Sequence, residues 1–181
     1  MGTFFSYPDA VRFYNAVLDY NEYSSREEIR QSFLQFLQNN DCRELIAKCV
    51  DGDNISNAFA LTGWRNHPDI LQAFLDRGMN IDIKNQYGWT ALIAASSHGL
   101  EESVRLLLNH NANVDIQGDY GWTALMRASY FSRKEIVQLL LDHNAGITLK
   151  DKNGKTALDL ARNKEIKEMI QNHVNTSYIL K

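Results

Sequence analysis

The sequence predicts an all-α solenoid built from short helical repeats, and three observations predict it. Tyr87-Gly88-Trp89-Thr90-Ala91-Leu92 returns as Tyr120-Gly121-Trp122-Thr123-Ala124-Leu125, with a more divergent copy at Asn153-Gly154-Lys155-Thr156-Ala157-Leu158. The glycines of these copies stand at 88, 121 and 154, a period of 33 both times. The first two copies are each followed by a second shared block, Val104-Arg105-Leu106-Leu107-Leu108 and Val137-Gln138-Leu139-Leu140-Leu141. Each block then runs into a similar tail, His110-Asn111-Ala112-Asn113-Val114-Asp115 or His143-Asn144-Ala145-Gly146-Ile147. Self-similarity at a fixed period of this size marks units that bury their apolar faces against one another.

Taken in order, the chain opens with segments that do not repeat. A first helix is predicted from Pro8, suited to a first turn, with Asp9 beside the positive end of the helix dipole. Ala10, Phe13, Tyr14, Val17 and Leu18 follow helical spacing, and Phe4 and Phe5 are expected to pack onto this helix. A second helix opens at Ser25, where Glu28 completes a capping box, and buries Ile29, Phe33, Phe36 and Leu37. A third opens at Asp41, presents Leu45, Ile46, Cys49 and Val50 on one side, and ends at Asp51-Gly52. Residues 1–53 are therefore expected to cap the open end of the solenoid.

The repeats follow from residue 54 onward. Stepping back 33 positions from Leu107 and Leu108 gives Phe74 and Leu75, so residues 55–84 read as a degenerate repeat that has lost its Gly-Trp opening. Residues 85–117 and 118–150 are the two regular repeats. The last, 151–173, is shortened between its helices and carries a Lys- and Glu-rich outer face suited to a C-terminal cap, with a tail from Asn175 to Lys181. Thr90, Thr123 and Thr156 are placed to cap first helices through their hydroxyls. Leu92, Ala95, Val104, Leu107 and Leu108 form the expected inter-repeat core.

The period, the Gly-x-Thr-x-Leu opening and the triple leucine resemble ankyrin repeats. That resemblance implies a β-hairpin finger followed by two antiparallel helices in each unit. The family's usual Pro after Thr is Ala91, Ala124 or Ala157 here, and its usual His is Ile93, Met126 or Asp159. The glycine that closes the second helix is kept at Gly78 and becomes Asn111 and Asn144, a residue that also tolerates the left-handed conformation.

Composition narrows the function classes. A chain of 181 residues is long enough to bury about 70% of its unfolded surface. Net charge is −3; residues 1–53 hold nine acidic and five basic groups, and 54–181 hold thirteen and fourteen. Neither half attracts a polyanion, so nucleic acid is not expected as a partner. Cys42 and Cys49 sit about 10 Å apart along a helix, too far for a disulfide, and read as apolar fillers in a reducing compartment. The five histidines, His67, His98, His110, His143 and His173, are scattered without metal-ligand spacing. No phosphate-cradling glycine loop is present. No metal, cofactor or catalytic residue is expected, and neither a signal peptide nor a membrane span is evident. Gly2 and Ser6 match an acylation pattern, but no basic cluster follows, and a cytoplasmic protein, monomeric when free, is expected.

The resemblance places partner-binding residues at the finger tips and on the outward side of each first helix. Position by position these are Trp64, Arg65, Gln86, Tyr87, Trp89, His98, Asp119, Tyr120, Trp122, Tyr130, Phe131, Lys152 and Lys155, with Ser97, Asn153, Asn163 and Lys164 beside them. All three tryptophans fall in this set. Aligned aromatics suit a protein–protein interface; alternatively, Trp89 and Trp122 stack along the fingers and stiffen neighbouring repeats. The expected function is non-catalytic binding of a folded protein. An inhibitor or immunity protein of a bacterial toxin is one form of it, and an effector or adaptor acting on host proteins is the alternative. An enzyme built on the N-terminal helices is a third reading.

Overall fold

The computed structural model describes residues 68–179 apart from Arg77 and Gln86. The expected N-terminal cap lies outside the described residues, as do Trp64 and Arg65. Seven helices are described: α1 (Pro68–Asp76), α2 (Ala91–His98), α3 (Glu101–Asn109), α4 (Ala124–Tyr130), α5 (Lys134–Asp142), α6 (Ala157–Leu160) and α7 (Lys164–Ile179). First helices stack on first helices, α2 on α4 and α4 on α6. Second helices form the other layer, running α1, α3, α5, α7.

The 33-residue period is visible in how each helix begins. Thr90, Thr123 and Thr156 take extended backbone angles, and their hydroxyls accept from Ile93 N, Met126 N and Asp159 N. Each bond satisfies one of the amides that a helix start leaves without a partner. Asp159 answers Thr156 with a reciprocal bond and completes a capping box, which holds the four-residue α6.

Packing explains the composition of the two layers. Helix α2 is buried from Ala91 to Ser97 because it has neighbours on several sides, so its sequence shows no polar face. Ala91, Ala95, Ala124, Ala128, Ala157 and Ala161 form a buried column of small residues that lets successive first helices approach closely. Helices α3 and α5 are one-sided instead. Val104, Leu107 and Leu108, then Val137, Leu140 and Leu141, face the core, each leucine contributing about 2 kcal/mol by burial.

Second helices end in a shared motif. Gly78, Asn111 and Asn144 have φ of 76°, 61° and 59°, the left-handed region. Asn111 N then reaches Leu108 O at 2.9 Å and Ala112 N reaches Leu107 O at 3.0 Å, the two bonds of a Schellman cap. Met79, Ala112 and Ala145 follow the turn and are buried. The substitution of Asn for Gly read in the sequence therefore keeps the termination intact.

Two expectations change. The fingers are tight turns rather than strand-paired hairpins, and no strand occurs among the described residues. Helix α7 runs to Ile179, past the expected end at 173. Ile166 and Ile170 bury one side of it while Lys164, Glu165, Lys167 and Glu168 stay exposed.

Candidate interaction surface

Each finger is a three-residue loop closed by two backbone bonds. Asn85 N, Gly118 N and Asp151 N donate to Trp89 O, Trp122 O and Lys155 O at 2.9, 3.0 and 2.9 Å. Gly88, Gly121 and Gly154 donate back to residues 85, 118 and 151, with φ of 68°, 77° and 75°. Inside the first finger the Asn85 carboxamide oxygen accepts from Tyr87 N and Trp89 N. Asp151 does the same for Asn153 N and Lys155 N in the last. The middle finger has Gly118 at this position. A Cβ there would sit 3.1 Å from the Gly88 carbonyl and 3.7 Å from the Trp89 ring, so the first finger occupies that space. Gln117 holds the middle finger instead, its amide donating to Gly121 O at 2.6 Å and to Lys150 O at 2.8 Å.

This turn geometry sorts the aromatics. Tyr87 and Tyr120 precede the left-handed glycine and project from the tips, 63% and 69% exposed. Trp89 and Trp122 follow it and lie half-buried against the core. Trp122 donates through Nε1 to Asp151 Oδ2 at 3.1 Å and meets Tyr130 edge-on, ring centroids 5.2 Å apart. Tyr130 in turn meets Phe131 edge-on at 5.1 Å, and Phe131 is 41% exposed. The tips and the outward ends of the first helices thus form one face, with Asp119, Lys152 and Lys155 exposed on its fingers.

Two arginines outside the expected set belong to this face. Arg127 of α4 has its Cζ 4.4 Å from the Trp89 ring centroid and 4.6 Å from that of Trp122. Burial pushes its pKa below the ordinary arginine value, opposed by Tyr130. Arg162 lies 3.9 Å over the Tyr130 ring and donates to the Tyr130 hydroxyl. The sequence held a signal for the first: Ala94 and Leu160, one period either side of Arg127, are both buried, so a charge at this position is out of pattern.

Other expected residues fall differently. Gln86 lies outside the described residues. His98 is half-buried, with Nδ1 donating to the Ala94 carbonyl at 2.9 Å. Ser97, expected beside it on the outward side, is buried. His110 and His143 sit at the ends of α3 and α5, bonded to Gln72 Oε1 and to Leu139 O. Among the described residues no group of three His, Cys, Asp or Glu side chains is placed to hold a metal ion.

The profile of the family described as ankyrin repeats matches three times, over residues 30–118, 58–151 and 117–176. This is an ankyrin-repeat protein. No curated protein matches the chain. Ankyrin repeats generally mediate protein–protein interaction and are generally non-catalytic. No described helix of this ankyrin-repeat chain is long and apolar enough to cross a membrane.

Proposed function

We propose that this ankyrin-repeat protein binds a folded protein on the face formed by its finger tips and first helices, with Tyr87, Tyr120 and Phe131 as the inserted anchors. One observation carries the reading: these three are the large hydrophobic side chains left exposed among the described residues, and all lie on that face. Folding accounts for Trp89 and Trp122, which brace neighbouring repeats, but not for two tyrosines held in solvent on rigid turns. Rigid, exposed aromatics lose little entropy on contact and are enriched among interface hot spots. Asp119, Lys152 and Lys155 supply a charged rim that sets approach and register. In the proposed layout residues 1–53 cap this face's scaffold and four repeats carry it. The inhibitor, immunity-protein and adaptor uses expected from sequence all call on this one face, and no described residue favours one of them.

The test is quantitative capture from the native lysate with wild type and with a folded Tyr87→Ser/Tyr120→Ser variant. A stoichiometric partner bound by wild type is expected to lose about 3 kcal/mol of affinity to the variant, measured by calorimetry on the purified pair. Equal affinity for both proteins would place the interface elsewhere.

A further inference from the structure

Arg127 breaks the repeat pattern at its position. The repeat pattern fills its position with Ala94 and Leu160, and a buried aliphatic side chain there would cost nothing in desolvation. The guanidinium is instead held within cation–π distance of two tryptophans from successive fingers. Its Nε is buried and has no hydrogen-bond partner among the described residues. No ion pair joins Arg127 to a carboxylate among those residues either. A guanidinium stays protonated and presents a planar fork of N–H donors that matches a carboxylate in bidentate fashion. Two indole faces fix that fork in advance, so little freedom remains to be lost on binding.

We infer that Arg127, clamped between Trp89 and Trp122, is the receptor for an aspartate or glutamate side chain on an acidic surface segment of the partner protein. This rests on the face being the docking surface. Charge around the clamp supports an acidic occupant: Lys152 and Lys155 stand exposed on the next finger, and neither is ion-paired among the described residues. The same surroundings favour a carboxylate over a phosphate. Arg162, the other guanidinium described on this face, is engaged by the ring and hydroxyl of Tyr130. The Asp151 carboxylate already sits on the Trp122 indole N–H. Arg127, Arg162, Lys152 and Lys155 stand against Asp119, Asp151 and Asp159, which leaves one net positive charge on this face, enough for a monoanion and short of a dianion.

The test titrates the full chain with octaglutamate and with octaglutamine, reading tryptophan fluorescence and binding heat at low and high salt. Saturable, salt-sensitive binding of octaglutamate alone is expected. Arg127→Lys keeps the charge and loses the fork, so it should weaken that binding about tenfold or more in protein that circular dichroism shows to be folded. Arg127→Met, which fills the space between the rings without charge, should abolish it. Failure of wild type to bind octaglutamate, or equal binding by wild type and Arg127→Lys, would overturn the inference. The captured partner separates the two readings. Retention by Arg127→Lys with loss by Tyr87→Ser/Tyr120→Ser sinks the carboxylate receptor and leaves the face standing; full retention by both variants sinks the face as well.

Discussion

Within one finger, two aromatics only two residues apart have opposite fates. Tyr120 gives the array its backbone carbonyl, which accepts from Lys152 N at 3.1 Å, and leaves its ring in water. Trp122, on the other side of Gly121, is held by Asp151, Tyr130 and Arg127. Tyr87 and Trp89 divide in the same way around Gly88. The comparison teaches that aromatic content alone does not mark an interface. Half of it here couples one repeat to the next, and only the half that packing leaves unexplained points outward.

The largest effect should come from the residue that forces this division. At Gly121 an added Cβ would lie 2.9 Å from Lys152 N and 3.0 Å from Asp151 Cα, both backbone, in a left-handed conformation. Gly154 has a similar φ of 75° but nothing within 4 Å of its Cβ position. Gly154→Ala should therefore cost only the left-handed strain, about 1 kcal/mol, and Gly121→Ala about 3 kcal/mol because the next finger must also shift. Urea denaturation of both variants reads the difference. Equal losses would mean that the fingers do not brace one another.

A smaller but more direct contrast is Trp122→Ala against Tyr120→Ala. Removing the half-buried indole strips contacts from Arg127 and Tyr130 and leaves Asp151 one donor short, a loss of about 2 kcal/mol. Tyr120→Ala should stay within about 0.5 kcal/mol of wild type, as an exposed side chain does. Similar stabilities for the two variants would erase the distinction between bracing and free aromatics, and with it the case for Tyr120 as an anchor.

What the sequence disclosed follows from how it repeats. Thr caps, the asparagines in left-handed turns and the leucine core are set by contacts within one unit or between identical units, so a period of 33 carries them. The tips were legible as positions, but not the sorting of Tyr120 from Trp122. That depends on which side of a left-handed glycine each residue leaves the turn, and on the next finger lying against it. Arg127 was missed because its partners, Trp89 and Trp122, meet it through tertiary placement across 38 and 5 positions of sequence. Ser97 read as outward from its register, yet α2 is covered on that side too. The extension of α7 past 173 was hidden because Asn175, Thr176 and Ser177 read as tail rather than as helix.

The smallest expected effect isolates the electrostatic part of the Trp122 brace. Amides of Lys155 and Asn153 and the Trp122 indole donate to Asp151, with the Lys155 bond the strongest influence, and hold its carboxyl below the ordinary range despite opposing burial. A carboxyl depressed in the folded state binds fewer protons there than in the unfolded chain. Its stabilisation is therefore complete above about pH 4, the unfolded value, and is lost as pH falls through the lower folded one. Asp151→Asn should keep the finger closed at neutral pH, because Asn85 already performs the same backbone capping with an amide oxygen. It should lose the Trp122 contact, since an amide nitrogen facing an indole N–H offers no acceptor, and it should flatten the acid limb of a plot of melting temperature against pH. A variant whose acid limb runs parallel to wild type would show that the charge on Asp151 contributes nothing. The tryptophan would then be held by packing and by Arg127 alone.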